Sequence, residues 1–218
     1  MEKSIENMWK EGFLKSDALV APKINKLYNH KSKHITAKFE RVFKINLIAI
    51  VVFSVVFLIT TIYNGLPVIG ISWFLILSGL VIVNSRLMNG LNKINNHANS
   101  YEYLVSFNKW LKNQISINRK MARFYYPLFF LTIVIGFWLF DAEGIPLGER
   151  LVGEVLYGFP DILMINGIPL FAIVFITVVV GILALFGGRI YMWDVNLIYG
   201  SVFKKLEELM ADIEELKN

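Results

Sequence analysis

The chain has 218 residues, 56% of them hydrophobic, and a mean hydropathy of +0.54, whereas an ordinary soluble domain is roughly 45–50% apolar. It contains no cysteine, which excludes disulfides, thiolate metal sites and a cysteine nucleophile. The formal net charge is +5, and all 22 basic and 17 acidic residues lie outside four apolar blocks, so a bilayer takes the place of a soluble core.

Residues 1–43 are read as a cytoplasmic N-terminal helical segment. They are densely charged and hold no continuous apolar run, so no cleavable signal peptide is expected and the first apolar block serves as an uncleaved anchor. Ile5, Met8, Trp9 and Leu14 make one apolar stripe. Pro22 is expected to break it, and Ile24, Leu27, Tyr28, Ile35, Phe39 and Val42 resume it. His30 and His34 stand four apart, a spacing that puts both imidazoles on one helix face. A metal needs three or four ligands, and Lys31, Lys33 and Lys38 surround the pair, so a solvated face is expected and no metal or other cofactor.

Residues 44–86 form the first transmembrane hairpin. Ile45–Tyr63 and Pro67–Ser85 are uncharged and separated only by Asn64-Gly65-Leu66. Later in the chain Phe124–Phe140 and Ile168–Phe186 are also uncharged. At about 1.5 Å per residue each block is about 25–28 Å long, close to a hydrocarbon core of roughly 30 Å. The first has 13 Leu, Ile, Phe or Val residues. At about −0.3 to −0.6 kcal/mol each, these contribute very roughly −4 to −8 kcal/mol to insertion.

Residues 87–123 are read as a cytoplasmic helical hairpin. Leu87, Leu91, Ile94, Ala98, Tyr101 and Val105 recur at alternating spacings of four and three, a heptad seam that can continue directly from the second span. The tip of the hairpin falls either in the Asn-rich stretch 95–100 or around 108–113. Residues 124–188 hold the second transmembrane pair, joined by an acidic loop at 141–167. Within that loop, 153–167 is apolar and rich in Gly and Pro, and is expected on or in the membrane surface. Residues 189–218 form a C-terminal heptad helix with Val195, Tyr199, Val202, Leu206, Leu209, Ile213 and Leu216 in register. Gly187 and Gly188 are expected to kink its junction with the fourth span.

Orientation follows from the flanks. Ten Lys and Arg precede the first span and seven lie between Arg86 and Arg123, whereas the acidic loop has only Arg150 against Asp141, Glu143, Glu149, Glu154 and Asp161. The basic-inside rule therefore puts both termini and the central segment in the cytoplasm, at an inner membrane. Tyr63, Trp73, Tyr125, Tyr126, Trp138, Tyr191 and Trp193 stand near span ends, as an aromatic belt does. Lys and Arg beside spans meet anionic lipid heads, so membrane lipid rather than nucleic acid is the expected partner.

The opening Ile5-Glu6-Asn7-Met8-Trp9-Lys10, followed by a Lys/Asn-rich helix and a span, resembles a group of bacterial membrane proteins often encoded beside alternative sigma factors. Those proteins begin with a short Leu/Ile-x-x-Leu/Met-Trp helix and are suspected anti-sigma-like regulators. The likeness covers these residues and the general layout. This chain lacks the Gln-rich continuation of the group, and a His-x3-Cys-x2-Cys zinc signature is impossible without cysteine. The resemblance implies a cytoplasmic helix centred on Trp9, Phe13 and Leu14 that docks on a protein partner.

The reading is an all-α integral membrane protein of four transmembrane helices with heptad-patterned cytoplasmic extensions. It acts as a non-enzymatic regulator or scaffold with a possible cytoplasmic protein partner. A homo-oligomer is expected through Leu87, Leu91, Ile94, Tyr101, Val202, Leu206, Leu209 and Ile213. Two readings stand beside it. One is an accessory transport subunit or small transporter or channel, against which the spans carry no ionisable residue. The other is a membrane enzyme using Glu149 or Glu154, for which no nucleophile or activating histidine accompanies the carboxylates.

Overall fold

The computed structural model describes residues 5–91, 94, 100–142 and 144–215, with side chains described at 30–91, 94, 102–141 and 144–212. Four long helices carry the chain: α1 (Ile5–Tyr63), α2 (Pro67–Met88), α3 (Ser100–Trp138) and α5 (Leu170–Glu215). Each contains a stretch long and apolar enough to cross a membrane. The short helix α4 (Leu147–Gly158) joins the last two. It is flanked by two-residue hairpins, β1 (Asp141–Ala142) with β2 (Ile145–Pro146) and β3 (Met164–Ile165) with β4 (Ile168–Pro169). Among the described residues the fold is thus all-α apart from these two ladders.

The four apolar stretches pack in sequence order. Gly70 of α2 meets Thr61 and Leu58 of α1 so closely that a Cβ would overlap the threonine hydroxyl. That hydroxyl bonds back to the Phe57 carbonyl at 2.8 Å, which satisfies it without a partner helix. Gly136 of α3 accommodates Ile69 of α2 in the same way. Trp73 packs between the tilted rings of Phe57 and Phe129, with ring centroids at 4.7 and 4.6 Å, and its indole N–H donates to Thr132 Oγ1 at 3.0 Å. Small residues that let backbones approach, with one bonded indole, are what helix association requires where lipid is as apolar as the side chains. The opposite faces are open: Ile48, Val52, Ile59, Leu75, Phe171, Phe175 and Leu185 are all at least half exposed.

Beyond the apolar stretches, at the end flanked by lysine and arginine, α1, α3 and α5 continue unbroken and close on a second core. Phe39, Phe107 and Leu104 are essentially fully buried there. The Phe39 ring lies 5.7 Å from Phe107, 5.9 Å from Trp110 and 5.1 Å from Tyr199. Met88, Leu91, Leu111, Val195, Val202, Leu206 and Leu209 complete the cluster.

Several expectations are corrected. The helix α1 runs through Pro22 without a break in its assignment. The seam from Leu87 to Val105 is not one helix: α2 ends at Met88 and α3 starts at Ser100. Asn89 and Gly90 stand at that end and are poor helix formers. The reversal therefore falls between Met88 and Ser100, and α3 is helical through 108–113.

Part of the heptad seam expected to join separate chains lies against the chain's own helices. Leu91, Val202, Leu206 and Leu209 are buried in its core, with Ile94 packed against them, and Leu87 is half-buried. The side chains of Tyr101 and Ile213 lie outside the described residues.

Gly187 and Gly188 do not interrupt α5. They let it approach α3, since a Cβ at Gly187 would lie 2.7 Å from the Ala122 carbonyl oxygen, and one at Gly188 would lie 3.1 Å from Arg119 Cγ.

Candidate functional site

Where the apolar stretches meet the second core, all four long helices line a cleft of about 280 Å³. Its polar groups arrive from four directions: Asn46 on α1, Asn84 on α2, Asn118 and Tyr125 on α3, and Tyr191, Asp194 and Tyr199 on α5. Phe43, Leu47, Ile50 and Leu80 form its apolar side.

The two central amides lock together. Asn84 Nδ2 donates to Asn118 Oδ1 at 3.0 Å, and Asn118 Nδ2 returns the bond to Asn84 Oδ1 at 2.9 Å. The same nitrogens also donate to the carbonyls of Leu80 and Gln114, at 2.9 and 3.0 Å. Each amide is thereby satisfied by its own helix and by its partner, which ties α2 to α3. Asn46 Nδ2 reaches the Tyr199 hydroxyl at 3.3 Å and so ties α1 to α5. On the α3–α5 side, the Tyr126 hydroxyl donates to Asp194 Oδ2 at 2.8 Å.

One turn further from the apolar stretches, Gln114 is 3% exposed, and neither its amide nitrogen nor its amide oxygen has a partner. Buried amides are nearly always bonded, and an unmet one costs roughly 1–3 kcal/mol. Ser32 and Thr36 are buried in the same core, with the Thr36 hydroxyl returned to the Ser32 carbonyl at 3.0 Å.

His30 and His34 are both exposed, and among the described residues no three His, Asp or Glu side chains gather as metal ligands do. Glu149, Glu154 and Asp161 are exposed on and after α4. The apolar residues around them, Tyr157, Phe159 and Leu163, are exposed too, which gives that end of the bundle an apolar surface rather than a closed pocket. The side chains of Trp9, Phe13 and Leu14 lie outside the described residues.

In sequence, Tyr125 and Tyr191 read as belt aromatics and Tyr199 as a heptad position, and Asn46, Asn84, Asn118 and Asp194 carry no motif. The signal that marks them is positional: Asn46, Asn84 and Asn118 stand beside the same-side ends of three different apolar blocks. Comparison with protein-family models, with curated proteins and with solved structures finds no match.

Proposed function

We propose that the chain is a multi-pass inner-membrane protein whose termini and central segment lie in the cytoplasm, and that it acts as a non-enzymatic scaffold or regulator. The observation that supports this most is continuity. The helices α1, α3 and α5 pass from apolar stretches straight into one buried aromatic core, so the core beyond the apolar stretches is built on the same helices. A continuous platform with an N-terminal helix suits presentation of a docking segment better than it suits chemistry. The Asn84–Asn118 pair is closed on itself, an arrangement that favours cohesion over a conducting path. Membrane lipid is the surrounding partner, with the basic flanks on its anionic heads. The protein partner we propose is an alternative sigma factor, docked on Trp9, Phe13 and Leu14. Association of copies is not included, because Leu91, Val202, Leu206 and Leu209 of the heptad seam are buried within the chain.

Orientation is tested directly, since the chain contains no cysteine. Tyr157→Cys should react with a membrane-impermeant maleimide added to intact cells, and Ser201→Cys only after lysis. Labelling of both from outside would refute the layout. For the regulatory part, raised levels of the full chain should repress promoters read by the cognate alternative sigma factor, and Trp9→Ala should relieve that repression. Unchanged transcription removes the anti-sigma reading.

A further inference from the structure

The cleft between the four long helices carries one ionised group, Asp194, and no Lys or Arg. One oxygen of that carboxylate accepts from Tyr126, and the residue is exposed at the mouth of the cleft. Two flanking cations are engaged elsewhere, Lys44 with Glu40 and the Arg189 guanidinium 5.2 Å over the Phe186 ring. Both central amide nitrogens of the cleft already donate twice. What the cleft offers a ligand is the Asp194 carboxylate, the second amide hydrogen of Asn46, and the rings and hydroxyls of its tyrosines beside Phe43.

Aromatic faces beside a carboxylate recognise an ammonium group, by ring quadrupole and by charge. An anionic head would meet Asp194 with no counter-charge in the lining. The opposite wall, Leu47, Ile50 and Leu80, belongs to the apolar blocks, so the cleft joins a polar end to a hydrocarbon one. Its volume of about 280 Å³ is just below the usual range of ligand sites, roughly 300 to 1,000 Å³. That suits a small head with the first part of a chain.

We propose that this cleft binds an ammonium group bearing an apolar chain, with the head against Asp194, Tyr125 and Tyr191 and the chain along Leu47, Ile50 and Leu80. The chemistry is shared by an aminophospholipid of the adjacent leaflet and by a soluble alkylammonium compound. Only the lipid source rests on the membrane insertion proposed above.

The test is native mass spectrometry of the full chain released from dodecyl maltoside micelles. The probes are dodecyltrimethylammonium, dodecyl sulfate, and phosphatidylethanolamine and phosphatidylglycerol of equal chains. Expected is retention of one dodecyltrimethylammonium per chain, with dodecyl sulfate and phosphatidylglycerol not retained. Displacement by phosphatidylethanolamine identifies a lipid site, and its absence a site for soluble compounds. Asp194→Asn should weaken retention about tenfold or more. Tyr191→Leu should weaken it several-fold while Tyr191→Phe, which keeps the ring, should not. Equal retention of the sulfate probe, loss of retention in Tyr191→Phe, or full retention in Asp194→Asn overturns the proposal. Failure of the topology test with these results intact would leave the pocket and remove only the lipid source.

Discussion

The approach of α3 to α5 at Gly187 can be measured by making one substitution at two places on the same helix. Alanine at an interior helical glycine gains about 0.8–1.0 kcal/mol of helix propensity. At Gly200 an added Cβ meets nothing within 4 Å, so Gly200→Ala should realise most of that gain. At Gly187 the same methyl group would stand 2.7 Å from the Ala122 carbonyl oxygen and 3.1 Å from its carbonyl carbon. Both are backbone atoms of a helix whose Ala122 is fully buried, so relief requires α3 and α5 to move apart. Such overpacking costs typically about 1–3 kcal/mol. Set against the propensity gain, the two variants should differ by about 1–3 kcal/mol. For a chain of this size that is roughly 2–12 °C between their thermal midpoints at about 2–4 °C per kcal/mol. The assay is thermal unfolding of the detergent-purified protein, followed by far-ultraviolet circular dichroism at one detergent concentration. Equal midpoints for Gly187→Ala and Gly200→Ala would show that α3 and α5 are not in contact there.

Two further substitutions probe the polar interior. Gln114→Met replaces a buried amide lacking partners with an apolar side chain of similar length, and should stabilise by about 1–2 kcal/mol. A lower melting midpoint would mean that the amide is bonded. Asn84→Leu strands Asn118 and should cost about 1–3 kcal/mol, while Asn84→Leu with Asn118→Leu together should recover part of the loss. Strict additivity in that double-mutant cycle would contradict the reciprocal pair.

Much of this architecture is legible along the chain, because uncharged blocks near the length of a bilayer core can be counted without knowing what touches them. The four apolar helices, the tight turn at Asn64-Gly65-Leu66 and the helical nature of the C-terminal segment follow from local composition and period. The heptad pattern in Val195–Leu209 likewise announces a buried stripe. Periodicity says only that a face is covered, and is silent on whether another chain or another part of the same chain covers it. Only tertiary packing decided that Tyr199 and Val202 face Phe39 and Phe107. The same holds for Gly187 and Gly188, where a glycine pair in sequence reads equally as a hinge or as a close approach, and the position of Ala122 chooses. The cleft was beyond reach for a related reason. Asn46, Asn84, Asn118 and Asp194 are far apart in the chain and individually unremarked, and their meeting depends on the relative register of four helices, which no single helix encodes.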